Sequence, residues 1–202
     1  MTSPQLALDP CYKQSIVPEA VAAQRPNPWF AIRVKSQYEK ITAVSLHNKG
    51  YEEFAPMYRS RRYWSDRVKE LDLPLFPGYI FCRFDPWHRL PVLTSPGIVS
   101  IVGLGKSPEP VDDSEIARIQ AIVSSGVLAC PWPFLRAGQK IAVTRGSLRG
   151  VEGFLVSSKN QYRLVVSIQL LQRSVAAEID RDCIQPISSG RLAPDGRSAH
   201  TS

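Results

Sequence analysis

LFPGYIF, residues 75–81, sets a proline and a glycine among four large apolar side chains and a tyrosine. A buried strand favours β-branched residues. It avoids proline, which removes a ladder donor, and glycine, which has nothing to pack. The Pro77-Gly78 pair therefore predicts a break that serves geometry or a surface, with a strand starting after it. YIFCRF (79–84) reads as that strand, Ile80, Cys82 and Phe84 alternating against Tyr79, Phe81 and Arg83.

Upstream, WFAIRV (29–34) alternates bulky and β-branched residues as a strand does. Ser36 stands three residues before Glu39 as a capping box, predicting a helix that Lys49 and Gly50 close. Its apolar positions Ile41, Val44 and Leu46 fit one face imperfectly. YEEFAPMY (51–58) reads as a second strand, followed by a polar stretch over 59–74. Downstream, a short helical segment is expected around 88–95, then IVSIVG as a strand and a loop over 103–111. Asp112 with Glu115 forms a second capping box, and Ile116, Ile119, Ile122 and Val123 share one helical face that Gly126 ends. Strands and helices thus alternate through 29–125, which predicts an α+β sandwich with helices against one sheet.

ACPWPFLRAG, with Pro131 and Pro133, reads as a linker, and its Trp132 and Phe134 could dock on a neighbour. From Gly138 the pattern turns to strands and closely spaced glycines. GQKIAVTRGSLRGVEGFLV and RLVVSIQLL predict a small five-stranded β-barrel, with Gly146, Gly150 and Gly153 at its turns and bulges. The expected organisation is an extension over 1–27, a first domain over 28–125, a linker over 126–137, a β domain over 138–187 and a polar tail over 188–202.

The chain has 202 residues, and its 25 Lys and Arg against 18 Asp and Glu leave a net charge of +7. That excess favours an anionic neighbour such as nucleic acid without requiring one. No run reaches the ~18 apolar residues of a membrane span, and the start lacks the pattern of a signal peptide. A cytoplasmic protein with no membrane contact is expected. Cys11, Cys82, Cys130 and Cys183 form no short metal-ligand pair, and His47, His88 and His200 fall at no metal spacing. GLGKS (103–107) has Ser100 where a phosphate loop needs its first glycine, and Pro108 limits the helix that should follow. With no nucleophile elbow or recognisable carboxylate pair either, the sequence predicts no enzyme, cofactor or metal.

Four motifs in order carry a resemblance to the NusG family of transcription elongation factors. They are Trp29-Phe30 opening the first strand, SQYE at 36–39, FPGY at 76–79 and PEPVDDSEI at 108–116. The second part, GQKIAVTRGSLRGVEGFLV followed by VVSIQLLQRSVAAEID, resembles the KOW module of that family. The resemblance covers roughly 29–187. It implies an N-terminal NGN α/β sandwich, an antiparallel sheet with helices, followed by an SH3-like KOW barrel. YWSDRVK and PLFPGYIF look more like the specialised, operon-directed paralogues than the general factor.

On the residues alone, Phe76 and Tyr79 fit a core plug as well as a docking anchor. The resemblance implies the anchor: Phe76, Pro77, Gly78 and Tyr79, extended by Pro56 and Tyr58, would form a patch held out by the bend. That patch would bind the clamp helices of the largest subunit of RNA polymerase. RSRRYWSDRVK (59–69) sets Arg59, Arg61, Arg62, Arg67 and Lys69 around Tyr63 and Trp64, with Asp66 the one carboxylate. Guanidinium groups suit phosphates and aromatic faces suit unpaired bases, so the resemblance implies contact with upstream or non-template DNA of the transcription bubble. The alternative is a solvated hairpin whose Trp64 folds back on the sheet. For the KOW module the family implies a second partner, either the termination factor Rho or a small-subunit ribosomal protein. Leu170 to Arg173 stand where the family has an F-G-R turn. The expected protein is a monomeric, non-enzymatic elongation or antitermination factor. Its rival is a KOW-type RNA-binding or ribosome-associated protein that does not bind polymerase.

Overall fold

A computed structural model describes residues 27–64, 67–105, 107–135, 138–158 and 161–187, with backbone alone for 61–64, 67–68 and 158. The expected extension and tail lie outside the described residues, apart from 27.

The first module has the sheet strands β1 (Trp29–Val34), β2 (Glu52–Phe54), β5 (Tyr79–Arg83), β6 (Ile98–Ile101) and β9 (Pro110–Val111), and the helices α1 (Glu39–Asn48), α2 (Leu90–Leu93) and α3 (Asp113–Ser124). The strands form an antiparallel sheet in the order β2-β5-β1-β6, with β9 also pairing β1. Both faces of the central strands are covered, which is why WFAIRV is apolar almost throughout. One face sends Phe30, Ile32 and Val34 with Ile80, Cys82 and Phe84 against Leu46 of α1 and Val92 of α2. The other sends Trp29, Ala31 and Phe81 against Phe76 and against Ile116, Ile119 and Ile122 of α3. On the first face, burial pushes the Cys82 thiol up to about 12, with Glu53 and Glu52 adding to the effect.

The stretch 51–58 is not one strand. It divides at Ala55-Pro56, because Pro56 has no N–H for a ladder, and the chain leaves the sheet there. Among the described residues β3 (Met57–Trp64) then pairs only with β4 (Arg67–Pro74), forming a separate two-stranded ribbon in the register Met57↔Pro74 to Trp64↔Arg67. The helical segment near 88–95 is a 3-10 turn at Pro86–His88, capped by the Asp85 carboxylate on the Trp87 N–H at 2.9 Å, and then α2. The 103–111 loop contains a two-residue pair, β7 (Gly103–Leu104) with β8 (Ser107–Pro108), before β9.

The two capping boxes differ from expectation. Asp112 caps α3 by accepting from the Ser114 N–H at 2.7 Å. Hydrogen bonding to Ser114, side chain first and backbone second, holds the Asp112 carboxyl below its ordinary value. Glu115 does not reach back to the cap; it points into the second module. α1 has no side-chain cap: it starts at Glu39 behind Tyr38, and Gln37 has φ +67°. Ser36 is therefore too far upstream to cap the helix, and Glu39 is left to bond elsewhere. The exposure of Ile41 and Val44 fits the weak one-sidedness of α1, whose buried positions are Glu39, Thr42, Ala43 and Leu46.

The second module has the strands β10 (Ala129–Trp132), β11 (Gln139–Val143), β12 (Glu152–Ser158), β13 (Gln161–Ile168), β14 (Arg173–Ile179) and β15 (Ile184–Pro186). They form an antiparallel sheet in the order β10-β14-β13-β12-β11-β15. The expected linker thus contributes a strand to this sheet, six strands against the five read from sequence. β10 runs Ala129↔Ala177 to Trp132↔Ser174 along β14 at the sheet edge, where Pro131 is tolerated because no strand needs its missing donor on the outer side. Trp132 lies beneath the Arg163 guanidinium at 5.2 Å. At Gly153 an added Cβ would lie 2.6 Å from the Val165 carbonyl oxygen, so β12 and β13 approach too closely for a side chain. Gly146 and Gly150 instead occupy open turns with φ of +82° and +86°.

Candidate functional site

Phe76 to Tyr79 form a β-turn in which the Tyr79 N–H donates to the Phe76 carbonyl at 3.0 Å. Pro77 stands at the position where its ring pre-sets φ, and Gly78 has φ +81°, as a type II turn requires. Two longer-range bonds fix the turn. The Val34 N–H donates to the Gly78 carbonyl at 2.9 Å, and the Gly78 N–H donates to Oε1 of the buried Glu39 at 2.8 Å. The motif SQYE therefore supplies the carboxylate that holds FPGY. That role is invisible when Glu39 is read only against its helical neighbours.

The bend does not hold Phe76 out. Its side chain is 0% exposed and meets Phe81 edge-on at 5.5 Å, and Phe54 stacks against Phe81 at 6.3 Å. The turn reverses the chain before β5 and sends Phe76 under the sheet, while Tyr79 emerges at its margin. Pro56 is buried, Pro77 is exposed, and Tyr58 and Tyr79 are half-buried. The residues expected to make one patch thus divide into a buried support, Phe76 and Pro56, and an aromatic margin, Tyr58 and Tyr79. Phe54 packs with the margin against the same cluster, and its place in a short strand gave no sequence signal for this.

The ribbon leaves the sheet beside this margin. At its base the Leu75 N–H donates to the Pro56 carbonyl at 2.9 Å, and Lys40 of α1 pairs with Asp72 at 3.1 Å. Arg59 and Lys69 are exposed. Arg61, Arg62, Tyr63, Trp64 and Arg67 have their backbones on β3 and β4, but their side chains lie outside the described set, as does Asp66. The choice between a DNA-facing Trp64 and one folded back on the sheet therefore falls outside the described residues.

The margin is also met from the second module. Arg173, first residue of β14, lies over the Tyr79 ring at 5.0 Å from its centroid and donates from Nη1 to the Pro77 carbonyl at 3.3 Å. Glu115 of α3 accepts from the Gln169 N–H at 3.3 and 3.4 Å. Burial pushes the Glu115 carboxyl above its ordinary value, the Gln169 bond and Arg118 oppose the shift, and Asp112 adds to it. Among the described residues no group of three or more His, Cys, Asp or Glu is placed to hold a metal ion, and no helix is long and apolar enough to cross a membrane.

The family model for the transcription termination factor NusG matches residues 27–120. The transcription termination/antitermination protein NusG of Helicobacter pylori is 22% identical over 183 residues, covering 79% of this chain and 98% of its own. Its counterpart in Lactococcus lactis is 23% identical over 178 residues, covering 80% of this chain and 94% of its own. A solved structure of Thermotoga maritima NusG covers 80% of this chain and 97% of its own at 17% identity, with a TM-score of 0.49. The matched span holds β1, the FPGY turn and the start of α3, and the two relatives extend the likeness along most of the chain. Residues 27–120 thus match the NusG domain, and the likeness to transcription termination/antitermination proteins continues into the β-rich module after it.

Proposed function

We propose that this protein binds RNA polymerase through its first module. Tyr79 and Tyr58 would dock on the clamp helices of the largest subunit, over the support of Phe76, Pro56, Pro77 and Gly78. The observation that supports this reading is the aromatic margin itself. Two tyrosines, each with an apolar ring and a polar tip, stand at the edge of a sheet face, Tyr79 on a turn pinned from two sides and Tyr58 at the start of β3, an arrangement suited to interface anchors. The basic ribbon Met57–Pro74 projects from the same margin. Its Arg59, Arg61, Arg62, Arg67 and Lys69, with Tyr63 and Trp64, would meet upstream or non-template DNA when the margin is docked. Bound in this way, the factor would suppress pausing or termination, while the KOW module recruits a second partner, Rho or a small-subunit ribosomal protein.

The test is binding of the full chain and its Tyr79→Ala variant to purified core RNA polymerase, with circular dichroism confirming the fold. Tyr79 is the residue to change, because truncating the buried Phe76 would cost about 3–5 kcal/mol of stability on its own account. The expected loss of binding is at least ~2 kcal/mol, the size for an interface anchor. If the wild-type chain ignores polymerase and binds RNA through 138–187, the KOW-type RNA-binding reading replaces this one.

A further inference from the structure

Across β6, β1 and β5 the register sets Ser100, Arg33 and Tyr79 in one row, with Arg33 in the middle. Strand alternation turns Trp29, Ala31 and Arg33 to the same face of the sheet. Ala31 and its cross-strand partner Phe81 are fully buried with the α3 isoleucines, and the cover ends there. Arg33 is the one exposed position of β1, and Ser100 beside it is exposed as well. A central strand covered on both faces ordinarily holds apolar residues throughout, so a cation at this place calls for a reason. Among the described residues no carboxylate pairs with Arg33, whereas Arg83 pairs with Glu52 and Asp113, and Arg163 with Glu178. Glu39, which reaches this end of the sheet, is buried and taken by the Gly78 N–H at 2.8 Å.

We infer that Arg33 is the charge-recognition residue of the docking margin: it selects a partner segment that brings a carboxylate beside the Tyr79 ring. The inference rests on the reading that Tyr79 is the docking surface, and it adds the chemistry the partner must carry. An aromatic ring alone accepts any apolar surface of the right shape. A guanidinium directly across the strand pair from it accepts a partner with an anionic oxygen in reach, through the planar fork of its N–H groups. Docking removes water from this row. The attraction to a carboxylate then strengthens, and a partner that leaves the cation unpaired is penalised. Specificity is a difference between two affinities, and the penalty on a neutral partner supplies half of it. In the free chain Arg33 is solvated, and no internal ion pair has to be given up before it meets the partner.

The experiment titrates core RNA polymerase with the full chain and its variants over a series of salt concentrations, with circular dichroism confirming each fold. Arg33→Ala is expected to bind at least about tenfold more weakly at low salt, the loss of one hydrogen bond to a charged group. Its binding should also depend less on salt, because the screened pair is gone. Arg33→Glu, which sets like charges face to face, should bind more weakly still. Arg33→Lys keeps the charge without the fork and should fall between wild type and Arg33→Ala. Ser100→Asp leaves Arg33 in place but puts a carboxylate directly across from it, and this internal pair should weaken docking in the same way. Arg33→Ala and Arg33→Glu chains that bind as wild type does overturn the inference. So does weakened binding that keeps the wild-type salt dependence, since a structural role alone would give that. If Tyr79→Ala loses binding in either of these cases, the docking surface stands and only the charge recognition fails; if Tyr79→Ala binds as wild type does, the docking reading itself fails.

Discussion

Gly78 is the residue on which the first module turns, and the demand there is conformational. An added Cβ would lie 3.7 Å from the Val34 carbonyl oxygen, an ordinary separation, so space is not the obstacle; φ of +81° is. Gly78→Ala is expected to cost about 1–2 kcal/mol, the left-handed penalty of an L-residue, read as a lowered urea midpoint at unchanged slope. An unchanged midpoint would mean that the turn does not need this φ. The turn is legible from Pro77-Gly78 because the requirement lies in two adjacent backbones. The role of Glu39 is not, because Ser-x-x-Glu spacing describes only local bonding, and its acceptor role depends on a turn 39 positions away.

Among the elements, the β3–β4 ribbon carries the clearest charge. A strand pair whose exposed arginines and lysines meet phosphate releases counterions, so binding of a single-stranded or bubble DNA should weaken with salt along a linear log–log slope. Substituting Lys69 or Arg59 by Ala is expected to reduce that slope by about one for each phosphate left unneutralised, with little change between DNA sequences. An unchanged slope for both variants would remove these residues from any role in DNA binding. The ribbon was legible as a basic, aromatic-studded stretch, but its start at Met57 was not. YEEFAPMY has strand composition throughout, and the break at Pro56 matters only because β2 must pair with β5 there while β3 must not. The cap, buried face and end of α3 were legible, since Asp112, the isoleucine spacing and Gly126 are all local signals, whereas the partner of Glu115 was not, because it lies in the second module.

For the whole molecule, the contact between α3 and the second module should respond to acid through Glu115. Its carboxyl is raised above the ordinary 4.5, chiefly by burial, at the place where it accepts from the Gln169 N–H of the second module. The charged and titratable groups near it are Asp112 and Arg118 on its own helix and Glu109 on the preceding segment. The second module brings Gln169, Leu170 and Gln172 to the cleft beside it, none of which titrates. The state with this contact made therefore holds the Glu115 proton more tightly than a separated, solvated one. Its contribution to the contact is present in full below the ordinary value and is lost as pH rises through the raised one. Spin-label broadening between modules should strengthen on acidification from neutral pH into that window. Glu115→Gln, which keeps an oxygen to accept from the Gln169 N–H, should keep the contact at all pH values and lack the response. An identical pH response in Glu115→Gln would assign it to another group.

The sequence by itself determined several elements: the turn at Pro77-Gly78, β1 and β5 on either side of it, the face of α3 and the glycine-rich β module. Each of these is decided by steric and hydrogen-bonding preferences among residues within a few positions of one another. Only the tertiary structure decided that Phe76 goes inward while Tyr79 stays at the margin, that Ala129–Trp132 joins β14, and that Arg173 reaches Pro77 across 96 positions. Local rules limit which backbone conformations a segment can take. They hold no information about which distant segment will occupy the space beside it, and the burial and partners of these residues depend on that.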